Sequence, residues 1–208
     1  MKIFSPCNEP VEFAQRVRRP GQAWLASHPS GRPHAYWTEW VECKQYLADE
    51  FRSLCAYSLT YEPVGTVDHF ISCNVDRQQA YEWGNYRYAA GWINSCKQDQ
   101  DARIQFLDPF EAEDNWFEII LPSLQMKLAD DLKNRVSPEQ YQRAKNTLEK
   151  LHLVNDPRAR RQRQHWYQQY QAGKITLDGI EVHAPLLARA IRQQEATVAQ
   201  FNTSQTSS

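Results

Sequence analysis

Along the first fifty residues the apolar positions step by three and four. Val11, Phe13, Val17 and Trp24 are loosely helical in spacing over residues 9–26 and are interrupted by Pro20-Gly21, which predicts a broken first helix. Residues 27–34 (SHPSGRPH) read as a loop. A clearer helix follows, with Trp37, Trp40, Val41, Tyr46, Leu47 and Phe51 recurring at three- and four-residue steps and Glu39, Glu42, Lys44, Asp49 and Glu50 mostly between them. The period then changes. Residues 54–61 and 64–71 are short apolar and aromatic runs separated by Glu62-Pro63, which predicts a two-stranded ribbon. A polar loop over 72–79 leads into YEWGNYRYAAGWINSCKQ, where Tyr88, Ala89, Trp92 and Ile93 fall along one helical face. Residues 116–121 (WFEIIL) predict one more strand, stopped by Pro122.

Beyond Ser123 the pattern is helical. Ser137-Pro138-Glu139 supplies an N-cap, a first-turn proline and an acidic residue. Tyr141, Ala144, Leu148, Leu151 and His152 follow at helical spacing, and further helices are expected over 157–171 and 184–201. The tail NTSQTSS is too polar to pack and is expected to be disordered. The expected organisation is a single α+β domain, mostly helical. It comprises an N-terminal helical segment (1–50), a strand-pair-and-helix core (51–122), a C-terminal helical region (123–201) and a tail (202–208).

Charge and cysteine content narrow the function classes. The 24 basic and 25 acidic side chains leave a net charge of -1, so any nucleic-acid surface must be local. The mean hydropathy of -0.73 describes a very polar surface around a core supplied by seven tryptophans and ten tyrosines. No long apolar run or signal-peptide core occurs, and a soluble cytosolic protein without membrane association is expected. Five cysteines without a C-x-x-C pair argue against a disulfide framework or a structural zinc. Seven glycines and no G-x-x-x-x-G-K-[ST] leave no phosphate loop.

The residues that stand out for chemistry are Asp68 and His69, followed by Asn85 and Asn94. Phosphodiester hydrolysis needs an activated water, a cation to neutralise charge on the phosphate oxygens, and support for the leaving oxygen. In this pattern Asp68 and Asn94 supply oxygen ligands to one hard cation, Mg²⁺ or Mn²⁺, and neutral His69 takes the proton from water.

D-H-F at 68–70, A-Y-E-W-x-N-Y-R at 80–87 and N-S-x-K at 94–97 together resemble the signature of the H-N-H (ββα-metal) endonucleases, over roughly residues 50 to 120. The resemblance implies a ββα-metal core in which His69 is the general base, Asp68 and Asn94 are metal ligands and Asn85 braces the loop before the helix. It makes the pattern an H-N-N variant and puts Lys97 on the ligand face of the helix, where it would meet a phosphate. C-A-Y-S at 55–58 stands where many members of that family carry C-A-Y-C, and L-D-P-F at 107–110 and W-F-E at 116–118 are similar to the continuation in bacterial H-N-H nucleases of phage-defence operons, of the Septu and retron-associated kind. That implies an effector cutting DNA, with RNA as the alternative substrate, beside an SMC- or ABC-type ATPase.

The chain departs from that family where Ala90 and Ile93 stand in place of a cysteine pair, and where Ser72 and Cys73 replace the usual proline and lysine. The missing cysteines motivate a competing reading: an inactive H-N-H scaffold that binds nucleic acid or a protein.

Elsewhere the ordinary reading prevails. Trp83, Tyr86, Tyr88 and Trp92 are expected in the core rather than on a base-stacking platform. Arg158, Arg160, Arg161 and Arg163 crowd one helix, as a solvated face, a partner patch or a DNA-backbone contact. Cys55 and Cys96 are expected to pack as small apolar groups. No role falls to His34, His152, His165 or His183, nor to Asp108, Glu111 or Glu113.

Overall fold

A computed structural model describes residues 2–33, 40–97 and 101–206. The architecture is α+β and mostly helical, with two small antiparallel sheets.

The N-terminal helical stretch is continuous where a break was expected. A π-helical turn over Ala14–Arg18 runs directly into α1 (Arg19–Ser27), so the helix continues through Pro20, whose missing N–H falls where π-helical turns give way to α-helical ones. Gly21 meets a tertiary demand: a Cβ there would lie 2.3 Å from the ring of Tyr81. The second helix, α2 (Trp40–Glu50), forms as expected. The beginning predicted for it at Trp37 lies outside the described residues.

The ribbon forms with a different partner from the one the sequence suggested. β1 (Thr66–His69) pairs antiparallel with β2 (Tyr86–Ala89), so Asp68 lies opposite Arg87 and His69 opposite Tyr86. Residues 54–61 instead fold back on themselves. Cys55 N–H donates to Thr60 O and Leu59 N–H to Cys55 O, and only Leu54 and Tyr61 make a β-bridge. All four residues of β2 are buried, and a segment buried all round carries neither a two-residue nor a 3.6-residue period. That is why Tyr88 and Ala89 read as helical; the helix α3 (Gly91–Lys97) begins only after Ala90.

After a short α4 (Ala102–Gln105), the predicted strand appears as β3 (Phe117–Ile120). It pairs with β4 (Gln125–Leu128), a segment expected to be helical. A short α5 (Leu132–Arg135) precedes α6 (Pro138–Lys150), which starts on the expected cap: Ser137 Oγ accepts from Gln140 N–H and the Gln140 side chain returns the bond. α7 (Pro157–Gln171) has its predicted bounds.

Then come α8 (Leu177–His183) and α9 (Pro185–Thr206). The tail expected to be disordered continues α9 as far as Thr206, consistent with the small cost of extending an existing helix. One hydrophobic core runs from Phe4 to Ile191, drawing on both sheets and most of the helices, and Trp83, Tyr86 and Tyr88 lie in it as expected. Among the described residues no helix is long and apolar enough to cross a membrane.

Candidate functional site

β1, β2 and α3 place the five candidate residues on one strand–loop–strand–helix unit. Asn85 closes the loop between the two strands. Its Oδ1 accepts from Ile71 N–H at 2.7 Å, and its Nδ2 donates to Ile71 O and Gln79 O, both at 3.0 Å. The Asn85 backbone carbonyl accepts from Phe70 N–H at 2.8 Å. Buried at 4% exposure, this side chain ties Asn85 back to Ile71, fourteen positions earlier, a bracing role that needs the two donors and one acceptor of an amide.

His69 ends β1 on the side of that loop. Its Nε2 lies 2.9 Å from Ala80 O, a carbonyl that also accepts from the Tyr86 hydroxyl, and its ring packs edge-on against Tyr86. A carbonyl only accepts, so Nε2 carries the proton and, in the neutral imidazole, Nδ1 holds the lone pair. The imidazole is half-buried.

Asn94, on α3, donates from Nδ2 to Thr66 Oγ1 and Val67 O, each at 3.2 Å, and so seats the helix against β1. The remaining polar atom of the side chain, Oδ1, is an oxygen of the type a hard cation binds.

Asp68 and Lys97 form the most buried charged pair of the unit, at 1% and 3% exposure. Lys97 Nζ lies 2.8 and 2.7 Å from the two Asp68 oxygens, 2.8 Å from His69 O, 3.2 Å from Phe70 O and 3.3 Å from the Tyr57 hydroxyl. Tyr57 donates to Asp68 Oδ2 at 2.6 Å. Burial pulls the Lys97 ammonium below its ordinary pKa against the opposing effect of Asp68, and burial beside that carboxylate pushes the Tyr57 phenol well up.

Lys97 therefore does not stand on the surface to meet a phosphate, as the sequence suggested. At the end of a seven-residue helix that packs on β1, its side chain reaches inward to the strand's carboxylate and to the His69 and Phe70 backbone carbonyls.

The five residues are accordingly divided between two environments. Asp68 is engaged with Lys97 and Tyr57, whereas His69 is engaged with Ala80 and Tyr86, as alternation along a strand requires of consecutive residues. Asn85 belongs to the His69 side through Gln79 and Ile71, and Asn94 touches the β1 backbone beside Asp68.

Among the described residues no group of three or more His, Cys, Asp or Glu side chains is arranged to hold a metal. A divalent cation at Asp68 and Asn94 would compete with the Lys97 ammonium, which lies within hydrogen-bond distance of both Asp68 oxygens.

Two partnerships escaped sequence reasoning. Arg87, opposite Asp68, donates from Nε and Nη2 to Asp108 at 2.9 and 2.6 Å, with its guanidinium 3.8 Å from the centre of the Phe110 ring. The arginine inside an otherwise aromatic run was a signal of a buried partner, but nothing in the spacing pointed to Asp108. Tyr57, to which no role fell from its spacing, turns its hydroxyl to Asp68. The α3 aromatic Trp92 is half-buried and carries the Arg158 guanidinium 4.3 Å above its ring.

In comparison with known proteins, no family model, no curated protein and no solved structure matches this chain.

Proposed function

We propose that the chain is an endonuclease of the H-N-H type that hydrolyses DNA phosphodiester bonds with one divalent cation, Mg²⁺ or Mn²⁺. The observation that carries this reading is the oriented imidazole of His69. A strand-end histidine is held by the Ala80 carbonyl in the tautomer that leaves Nδ1 basic, above a loop braced by Asn85 and beside a helix seated by Asn94. Neutral His69 takes a proton from the attacking water, and its fixed tautomer removes the need to reorganise the ring. When bound, the cation neutralises charge growing on the phosphate oxygens. A divalent cation within about 4 Å of an ammonium meets strong repulsion, so cation binding at Asp68 and the Asp68–Lys97 pair are alternatives. A role in phage defence beside an ATPase subunit follows from the family resemblance alone.

A second reading has its own observation. The carboxylate expected to hold the metal already has a cation in Lys97, which favours an H-N-H scaffold that has kept its architecture and binds without cutting.

Incubation of supercoiled plasmid with the purified chain and its His69→Ala variant, in Mg²⁺, Mn²⁺ or EDTA, separates the two. Metal-dependent cutting by the parent that the variant lacks supports the nuclease. Equal cutting by both removes His69 as the base, and no cutting by either favours the scaffold.

A further inference from the structure

The four arginines of α7 do not share one environment. Arg163 turns inward: it is fully buried, donates to Leu124 O at 3.1 Å and approaches Met126 Sδ at 3.5 Å, and burial lowers its pKa to about 10. Ala159 is buried on the same side, and Gln162 bonds Thr60 and the Tyr61 carbonyl. With the inner face set by these residues, 100° per residue puts Arg160, Arg161, Gln164 and Gln168 on the outer face, and all four are exposed. Arg158 lies at the edge toward α3. Its guanidinium covers Trp92, and it pairs with Asp156, the residue that caps α7. The fifteen residues of α7 include no acidic side chain, so in a chain of net charge -1 this face is a local cationic surface joined through Trp92 to the candidate nuclease helix.

From this placement we infer that the outer face of α7 binds the phosphate backbone of duplex DNA and holds it beside α3. The inference rests on the DNA reading proposed above and adds the surface that would grip the substrate. Arg160 and Arg161 supply charge, Gln164 and Gln168 supply neutral donors of the kind that bond phosphate oxygens, and nothing in this set reads base edges. The binding is accordingly independent of sequence and strongly dependent on salt. The Asp156 carboxylate offsets Arg158, which leaves Arg160 and Arg161 as the two effective backbone contacts.

The test is fluorescence anisotropy of a labelled duplex of about 30 base pairs in EDTA, titrated with the full chain and the Arg160→Gln/Arg161→Gln double variant over a series of salt concentrations. Losing two phosphate contacts should reduce the slope of log affinity against log salt by about 1.8, so the parent loses roughly tenfold more affinity than the double variant between about 50 and 200 mM salt. A double variant with the parent's affinity and slope overturns the inference, as does a parent that binds no duplex at about 50 mM salt, which would assign the face to an acidic protein instead. Because binding is read without metal, the outcome is separate from cleavage. Loss of binding in the double variant with no cutting by the parent keeps this surface and sinks the nuclease. Cutting with unchanged binding does the reverse.

Discussion

Replacing Lys97 by Met tests the centre of the candidate site most directly. Methionine nearly matches the length and flexibility of the lysine stem, so the change leaves packing largely intact and removes the ammonium. What remains is the Asp68 carboxylate at 1% exposure with Tyr57 as its side-chain donor, together with the His69 and Phe70 carbonyls that lose a donor. Breaking a buried ion pair by removing one partner costs about 3–5 kcal/mol, since the charge left behind stays desolvated. Total stabilities are only about 5–15 kcal/mol, so that loss is a large share of the fold. For a chain of this size it lowers the melting temperature by about 10 °C. Urea unfolding followed by tryptophan fluorescence gives the free energy, with buried Trp83 and Trp116 as reporters. Asp68→Asn alone strands the ammonium and is expected to cost a comparable amount. The Lys97→Met/Asp68→Asn double variant removes both charges and should lose clearly less than the two singles together, a coupling of about 2 kcal/mol or more. A Lys97→Met protein within about 1 kcal/mol of the parent, or strict additivity in the double variant, would refute the account of Lys97 as the buried counterion of Asp68.

Three further predictions follow from named contacts. Asn85→Ala removes three side-chain hydrogen bonds at a buried position and should cost about 2–4 kcal/mol, with faster hydrogen exchange at the Ile71 amide; unchanged exchange there would contradict the bracing role. Gly21→Ala drives a methyl group into the Tyr81 ring and should destabilise by about 1–3 kcal/mol in thermal unfolding, whereas a neutral result would mean that the ring moves aside freely. Burial, reinforced by Glu50, pushes the Cys7 thiol up to about 11, so the folded chain holds that proton over the range where an unfolded thiol has lost it. Stability should therefore fall as the pH rises from about 9 to about 11, and Cys7 alkylation at pH 9, read by mass spectrometry, should be much slower in the folded than in the urea-unfolded chain.

Local chemistry made a good part of this protein legible from its residues. The Ser137 N-cap, the bounds of α7 and the strand before Pro122 follow from signals within a few positions of each element, and they form as those signals require. The aromatic residues around 83–88 were legible as core because large apolar side chains gain most from leaving water. The grouping of Asp68, His69, Asn85, Asn94 and Lys97 came from a family resemblance, and no local signal in the residues carries it.

What spacing could not decide was orientation. Only the tertiary structure gives β1 its partner in 86–89, because an all-buried strand shows no period to set it apart from a helix. The same holds for the separation of Asp68 from His69, for the inward reach of Lys97, and for the burial of Arg163 while Arg160 and Arg161 face solvent. A long cationic side chain goes inward only where a distant segment supplies an anion or bare carbonyls, and those partners, Asp68 for Lys97 and Leu124 for Arg163, are brought within reach by folding rather than by proximity along the chain.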